Sequence, residues 1–274
     1  MKNRIFTTPF VILLATGLFF VGCNKEKEDN FPKNLGTIKL EIYKNDHLVT
    51  SYGYDDQNRI ISISTTKNSD RGEMIEFYSY NDEGDLSSIM YKAGKEILTF
   101  SLRREGNVIH CDPYDMTIYL ITCYFSPEES EVLISKIIKT DADEGKPFYI
   151  EYSYAGNRGI AMTRETNSWN EDSFFAYWCL SFDEQKAPLS GCNTPKWVLA
   201  LLFDPYEYIG YNNNALEIVY SDGPSPTNAH FRPFVRFEYT YNSNGYAQSR
   251  IDFRWDEEMY EWVENGVTWR YEYK

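Results

Sequence analysis

The fold is decided by the stretch Ser51-Tyr-Gly-Tyr-Asp-Asp-Gln-Asn-Arg-Ile-Ile-Ser-Ile63, which predicts a strand, a tight polar turn and a returning strand. Tyr52 and Tyr54 are two positions apart, so their rings share one face of the first strand. The turn at residues 55–58 is rich in Asp and Asn, which bond to their own backbone and tolerate a positive φ. The stretch therefore predicts a β-hairpin.

Variants of this hairpin return along the chain, at residues 75–89 and 237–246 and, more weakly, at 150–158. Gly84 and Gly245 occupy the place that Asn58 has in the first copy, which predicts a left-handed turn residue there. Ile60 and Ile63 are three apart on the return strand. This spacing breaks strict alternation and predicts a bulge or a strand that starts late.

Short runs with evenly spaced turn signals continue to the end of the chain and indicate about fourteen strands. Trp269, Tyr271 and Tyr273 alternate in the last of them. We therefore predict an all-β fold, in which residues 35–274 form a single long antiparallel meander. So long a sheet becomes strongly curved or partly closes into a barrel. At most one short helix is expected, near residues 195–203, where a buried strand is the alternative.

The N-terminus predicts a secreted and lipidated protein. A basic start is followed by the apolar run 10–21, which is shorter than the ~20 residues of a membrane span and suits a signal peptide. Phe20-Val-Gly-Cys23 resembles a bacterial lipobox, so residues 1–22 are the expected lipoprotein signal peptide and Cys23 the expected lipidation site, carrying palmitate-type acyl chains. A plain signal peptide with a chance cysteine is the alternative. Residues 23–34 then read as the lipidated Cys and a flexible polar tether.

Few residues in the sequence indicate catalysis, metal binding or nucleic-acid binding. The formal net charge is -14, and an acidic surface repels phosphate backbones, so no nucleic acid partner is expected. The three histidines lack metal-ligand spacing, and no nucleophile elbow or phosphate-binding loop is present. We therefore expect no catalytic residues, no metal, no cofactor and no enzymatic activity.

Four cysteines follow Cys23, in a compartment that permits disulfides. The cysteines nearest each other in sequence are Cys111 and Cys123, and Cys179 and Cys192. One interpretation is a disulfide within each of these two pairs. Buried free thiols are the alternative.

The aromatic residues, which make up 17% of the chain, allow two interpretations. In the first they fill the core of an ordinary sheet. In the second they form an exposed binding strip, because aromatic faces stack on sugars and anchor interfaces. Tyr52 and Tyr54 are the strip's candidates in the hairpin, and Trp169 and Trp262, near polar turns, are further candidates for ligand binding.

The Tyr-x-Tyr-Asn/Asp-x-x-Gly/Asn pattern of the hairpins, together with the lipobox, resembles a family of Bacteroidota outer-membrane lipoproteins of unassigned function. That resemblance implies a porin-like antiparallel β fold over nearly the whole mature chain. The pattern also resembles the YD repeat of secreted shell-forming toxins and adhesins, although the spacing here is irregular. Lys25-Glu-Lys-Glu-Asp29 is similar to the signal that follows the lipidated cysteine in surface-exposed members of such lipoproteins. Neither resemblance implies catalytic residues.

The expected function is non-enzymatic ligand binding, to a glycan or a protein, by a lipoprotein attached to the outer membrane and exposed at the cell surface. Its membrane contact is the N-terminal lipid. A structural or interaction component of a surface complex is the alternative, and a glycoside-active enzyme is a third hypothesis that needs two facing carboxylates.

Overall fold

The computed structural model describes residues 36–105, 108–112, 116–122, 134–140, 147–154, 160–167, 174–195, 197–199, 212–223 and 230–274. Sixteen strands lie in these residues. They are β1 (Thr37–Lys44), β2 (His47–Tyr54), β3 (Ile60–Thr65), β4 (Met74–Tyr80), β5 (Leu86–Ala93), β6 (Glu96–Glu105), β7 (Val108–Asp112), β8 (Met116–Thr122), β9 (Ile134–Thr140), β10 (Pro147–Tyr154), β11 (Ile160–Asn167), β12 (Phe174–Lys186), β13 (Asn213–Gly223), β14 (His230–Tyr241), β15 (Ala247–Asp256) and β16 (Glu261–Tyr273).

Each strand pairs with the next one in sequence, as a meander requires, and β1 also pairs with β16. Leu40 is opposite Tyr273 and Lys44 is opposite Trp269, so the described strands form a closed barrel. The predicted all-β antiparallel meander is confirmed. The predicted count of about fourteen strands is lower than the sixteen strands described.

Three turns of the repeated hairpin are described, and they share one geometry. Asp55 accepts backbone hydrogen bonds two and four residues further on, at 3.0 and 2.8 Å. Asn81 does the same at 3.1 and 2.9 Å, and Asn242 at 2.9 and 3.1 Å. Asn58, Gly84 and Gly245 follow with φ of 63°, 86° and 79°. The predicted left-handed residue is therefore present in all three turns.

The predicted bulge is also present. Tyr54 is opposite Ile60 and Tyr52 is opposite Ile63, so three residues on β2 match four on β3, with a register shift between Gly53 and Tyr54. The same shift precedes the turns of the other copies, at Ser79/Tyr80, Thr240/Tyr241 and Ser153/Tyr154. The extra residue turns Ile60 and Ile63 toward the same side of the sheet, because a bulge shifts the alternation of side chains along the strand by one position.

That side is the barrel interior. Ile60 and Ile63 are fully buried there, and so are the two tyrosines opposite them: Tyr52 and Tyr54 are only 7% and 5% exposed. The interpretation of these two rings as part of an exposed strip is wrong, because the bulged hairpin directs them inward. Tyr271 is buried in the same cluster, with Trp269 and Tyr273 packed against it, as the alternation of β16 predicts.

The connection between β12 and β13 enters this interior. We call its described residues, 187–195 and 197–199, the plug. Trp197, Val198 and Leu199 form a helical turn and belong to the same buried cluster as Tyr52 and Tyr271. The short helix predicted near 195–203 is thus found at 197–199, while residues 196 and 200–211 lie outside the described part.

The plug is tied to the turn between β2 and β3. The Asn193 backbone N–H donates to the Asn58 carbonyl at 2.8 Å, and the Asn58 side chain donates to the Gly191 carbonyl at 2.5 Å. The Ile60 backbone N–H donates to the Thr194 hydroxyl at 2.7 Å. We call this the plugged end of the barrel; the turns after β1, β3 and β15 lie at the opposite, far end.

Candidate functional site

A cavity of about 260 Å³ lies inside the barrel. Pro188, Leu189 and Leu199 of the plug border it on one side, and Ser69–Arg71, in the connection between β3 and β4, border it at the far end. Its wall comes from inward positions of β1–β3 and β13–β16. The plug therefore forms the floor of the cavity, and the far end is its mouth.

Arg250 lines the cavity and forms an ion pair with Asp252, which is inward but is not part of the lining. The Arg250 guanidinium donates to both carboxylate oxygens of Asp252, at 2.7 and 3.1 Å, and the Trp269 indole N–H donates to the same carboxylate at 2.8 Å. The guanidinium also lies 4.6 Å from the ring centre of Phe237 and 4.7 Å from that of Trp269. Two rings and a carboxylate therefore hold Arg250 in one orientation.

Strand register explains this arrangement. Arg250 on β15 is opposite Tyr239 on β14 and opposite Trp269 on β16, so the three side chains form one inward row across adjacent strands. Asp252, two residues further along β15, is inward as well and is opposite Phe237. Because side chains two positions apart on a strand point to the same face, Arg250 and Asp252 both point inward, and they meet there as a bidentate ion pair.

The phenols beside Arg250 remain protonated. Burial raises the pKa of Tyr239 and of Tyr271 above the ordinary value of 10.0. Desolvation opposes the charge of Arg250, yet its pKa is above the ordinary value, because the phenol oxygens of Tyr271 and Tyr239 and the carboxylate of Asp252 favour the cation. Neutral hydroxyls consequently surround a charged but paired guanidinium.

A second ion pair stands at the mouth. Lys44 donates to both oxygens of Asp70, at 3.0 and 2.7 Å, and its ammonium lies 5.4 Å from the ring centre of Trp269. The Asp70 side chain is 66% exposed and that of Lys44 is 23% exposed, so the pair spans from the wall to solvent.

Glu76 lies near Arg71 on the inward side of β4. Its carboxylate accepts a hydrogen bond from the Tyr78 hydroxyl. Burial raises the pKa of Glu76 above 4.5, against the opposing effects of the Tyr78 hydrogen bond and the charge of Arg71.

The candidate residues from the sequence fall in different places. Tyr52 lines the cavity, whereas Tyr54 is buried without lining it. Trp262 is half-buried and packs edge-on against Trp255, with ring centres 5.4 Å apart. Alternation from Asp252 puts this tryptophan pair on the outer face. Trp169 lies outside the described residues, and ligand binding by any of these residues stays a prediction.

The cysteine pair nearest the site is not bridged. No disulfide joins Cys179 and Cys192, so of the two alternatives for this pair the structure has unbridged thiols. Cys179 is on β12, and burial raises the pKa of its thiol to about 12. Cys192 belongs to the plug, which β3 holds through Thr194. The Cys111 side chain and all of Cys123 lie outside the described residues.

Sequence reasoning missed Arg250 and Asp252, although a signal existed. When the hairpin copies are aligned on their turns, Arg250 occupies the position of Ile63 and Ile89, opposite a tyrosine in each case. Those two copies have an inward isoleucine at this position, and packing requires no charge there. Arg250 is therefore an exception within the repeat.

Within the described residues, no group of three or more His, Cys, Asp or Glu side chains is placed to hold a metal ion. The described part of the chain also contains no helix with the length and apolarity needed to cross a bilayer.

No protein-family model matches the chain, and no curated protein matches it. Among solved structures, the chain is similar to a porin-like protein from Bacteroides uniformis, with a TM-score of 0.40 and 12% identity over 89% of this chain and 99% of that one. It is also similar to a protein of unknown function from Bacteroides fragilis, with a TM-score of 0.17 and 7% identity over 70% of this chain and 89% of the other. Nothing about function follows from either likeness.

Proposed function

We propose that the protein is a non-enzymatic, lipid-anchored surface protein that binds a small ligand inside its barrel. The observation that carries the proposal is the cavity of about 260 Å³ with Arg250, held by Asp252, in its wall. Ligand pockets combine an apolar and aromatic lining with a few convergent polar groups, and this cavity has both.

The ion pair supports binding because stability does not require it. A buried ion pair is replaced by apolar residues at little cost or with a gain, and two other copies of the hairpin have Ile at the position of Arg250. Asp252 is only 7% exposed, so its charge is kept in the interior at a desolvation cost. Ligand binding explains why a charged pair is kept in the interior at this desolvation cost.

The repeated turn geometry supports the finer relationship as well. Three described turns share side-chain bonds and the left-handed residue, which is consistent with YD-like repeated hairpins in an outer-membrane lipoprotein. Among the described residues that line the cavity, Asp70 is the one carboxylate, and it pairs with Lys44. This favours binding over glycoside hydrolysis, which needs two facing carboxylates.

The test is titration with N-phenyl-1-naphthylamine, a neutral probe whose fluorescence rises in apolar surroundings. We expect the wild-type protein to bind it and Ala215→Trp, which fills the cavity, to lose about tenfold or more in affinity. Ser101→Trp adds the same side chain at an exposed outward position of β6 and is the matched control. Circular dichroism checks the fold, and Thr50→Phe replaces Ala215→Trp if that variant unfolds. Failure of the wild type to bind the probe, or equal binding by the cavity-filled variant, would contradict the proposal.

The second candidate function is an interaction component of a surface complex. Trp178 and Phe231 are 40% and 50% exposed, with ring centres 5.0 Å apart, and Leu180 is 58% exposed on the same strand as Trp178. Exposed aromatic pairs of this kind anchor interfaces. Chemical crosslinking on intact cells, compared between the wild type and Trp178→Ser, tests this function. We expect the wild type to crosslink to a specific partner protein and the variant to lose that crosslink.

A further inference from the structure

Among the described residues, three cations line the cavity: Arg250 in the wall, and Lys44 and Arg71 at the mouth, where Arg71 lies near Glu76. Arg250 and Lys44 each form an ion pair. Arg250 is neutralised by Asp252 through two hydrogen bonds, and Lys44 is neutralised by Asp70. The two pairs stand at different depths, one in the wall and one at the mouth. A net-charged ligand at the depth of Arg250 meets a pair that is already neutral, and desolvating the ligand's charge there is costly.

The polar groups that remain in the wall are mostly hydroxyls. Tyr239 and Tyr271 present protonated phenols, and Thr50, Thr65 and Ser69 add aliphatic hydroxyls. A hydroxyl donates one hydrogen bond and accepts others, so it suits a partner that also does both. The hydroxyl groups of a ligand are such partners, whereas a carboxylate only accepts and an ammonium only donates.

The apolar part of the wall contains flat rings. Tyr52 and Tyr271 line the cavity from β2 and β16, and Leu189 and Leu199 form its floor. Aromatic faces pack well against the C–H faces of a ring-shaped ligand with polar edges, because such a ligand is itself amphipathic. The cavity volume is at the small end of ligand pockets, which limits the ligand to one or two rings.

We infer that the ligand is a neutral saccharide of one or two rings, with its hydroxyls directed at Arg250 and its ring face at the cavity's tyrosines. This inference rests on the proposed function, since it names the ligand class for the same interior site. The Arg250 guanidinium, which lines the cavity, donates to a ligand hydroxyl, while Asp252, which is outside the lining, fixes the guanidinium and cancels its charge.

The experiment is isothermal titration of the wild-type protein with glucose, N-acetylglucosamine, maltose and cellobiose, beside glucuronate and glucosamine as charged counterparts. We expect at least one neutral saccharide to bind about tenfold or more tightly than either charged sugar. Asp252→Asn keeps the shape of the side chain but leaves Arg250 as a net positive charge. In this variant the preference between glucuronate and the neutral saccharide should move toward glucuronate by about tenfold or more.

The control is Glu238→Gln. Arg236 and Glu238 form the same two-residue pair on the neighbouring strand β14, but both side chains are about half exposed, so the loss of this charge should leave saccharide binding unchanged. Tyr271→Phe, which removes one hydroxyl only, is a second variant for the case in which Asp252→Asn does not fold, and we expect it to weaken the neutral saccharide several-fold.

The outcomes are distinguishable. If glucuronate binds the wild type most tightly, or if Asp252→Asn and Glu238→Gln shift the preference equally, the inference is wrong. If no neutral saccharide binds while N-phenyl-1-naphthylamine still enters the interior, the saccharide inference fails and the proposed function stands. If neither saccharide nor naphthylamine probe binds, both fail.

Discussion

At the scale of single residues, a few inward polar side chains distinguish this barrel from a simple apolar container. Most inward positions of the hairpins carry Ile, Leu or Tyr, which need only burial. Glu76 and Arg250 do not fit that description. Each lies in the interior beside tyrosines whose pKa burial raises, so each charge depends on one or two specific neighbours.

Glu76 makes the stability of the protein depend on pH. Its pKa is raised in the folded state, so the folded protein holds this proton more tightly than the unfolded chain does. The stability from the protonated form is fully present below the unfolded value of 4.5 and is lost as the pH rises through the folded pKa. Within that window we expect the free energy of unfolding to fall by up to about 1.4 kcal/mol per pH unit.

Urea unfolding at a series of pH values from 4 to 8 measures this effect. Glu76→Gln is neutral at every pH, so its stability curve should be flatter and should exceed that of the wild type at neutral pH. Glu238→Gln, on the exposed outer face, should follow the wild-type curve. A Glu76→Gln curve parallel to that of the wild type would show that Glu76 does not retain its proton in the barrel.

The residue scale also shows how far the sequence was informative. The left-handed positions at Asn58, Gly84 and Gly245 were predictable, because few residues tolerate a positive φ and the repeat aligned them. The inward direction of Tyr52 and Tyr54 was not, since alternation gives a shared face and does not say which side is covered. Arg250 was predictable in principle, as an exception in the repeat.

At the scale of elements, the plug organises the interior. The helical turn at 197–199 is held by the Val198 and Leu199 backbone N–H groups, which donate to the Pro195 carbonyl at 2.9 and 3.2 Å. Arg104 of β6 lies 5.2 Å from the ring centre of Trp197, so the plug contacts strands on more than one side. The sequence indicated an apolar run with an N-terminal proline. It did not indicate that this run enters the barrel, because tertiary packing decides that placement.

The attachment of the plug depends on Thr194, which is 1% exposed. Thr194→Val keeps the shape of the side chain but removes the acceptor of the Ile60 backbone N–H. A buried donor without a partner costs about 1–3 kcal/mol, and we expect the free energy of unfolding to fall by that amount.

Thermal and urea unfolding check this prediction. Thr240→Val is the matched control, because Thr240 is exposed on the outer face of β14, and its substitution should change stability by no more than about 0.5 kcal/mol. Equal effects of the two substitutions would mean that the bond to Thr194 does not hold the plug.

At the scale of the whole molecule, the chain closes because its last strand returns to its first. Five residue pairs join β1 to β16, and the Asn45 backbone N–H donates to the Thr268 carbonyl at 2.8 Å beyond them. The sequence predicted the meander and the need for strong curvature, since so many strands do not form a flat open sheet. It left closure undecided, because pairing of residues more than two hundred positions apart leaves no local pattern.

Closure predicts a specific crosslink. Glu41 and Glu272 are opposite each other on β1 and β16. Opposite residues of antiparallel strands have Cα atoms about 4.5–5.5 Å apart, which is within the range of a disulfide. The double variant Glu41→Cys with Glu272→Cys should therefore form an intramolecular disulfide under mild oxidation, as detected by peptide mass mapping. Glu41→Cys with Glu238→Cys, placed on strands that do not pair, is the control. A 41–272 link no more abundant than the control link would contradict the closed order.

The central claim is that the barrel interior, above the plug, receives a ligand. The most direct measurement is a crystal structure of the protein soaked with 4-bromophenol, in which the anomalous scattering of bromine locates a small neutral ring with one hydroxyl. We predict a bromine peak inside the barrel, beside Arg250 and Tyr271 and above Leu199. A peak confined to the outer face near Trp178 and Phe231, or no peak at saturating concentration, would contradict the claim.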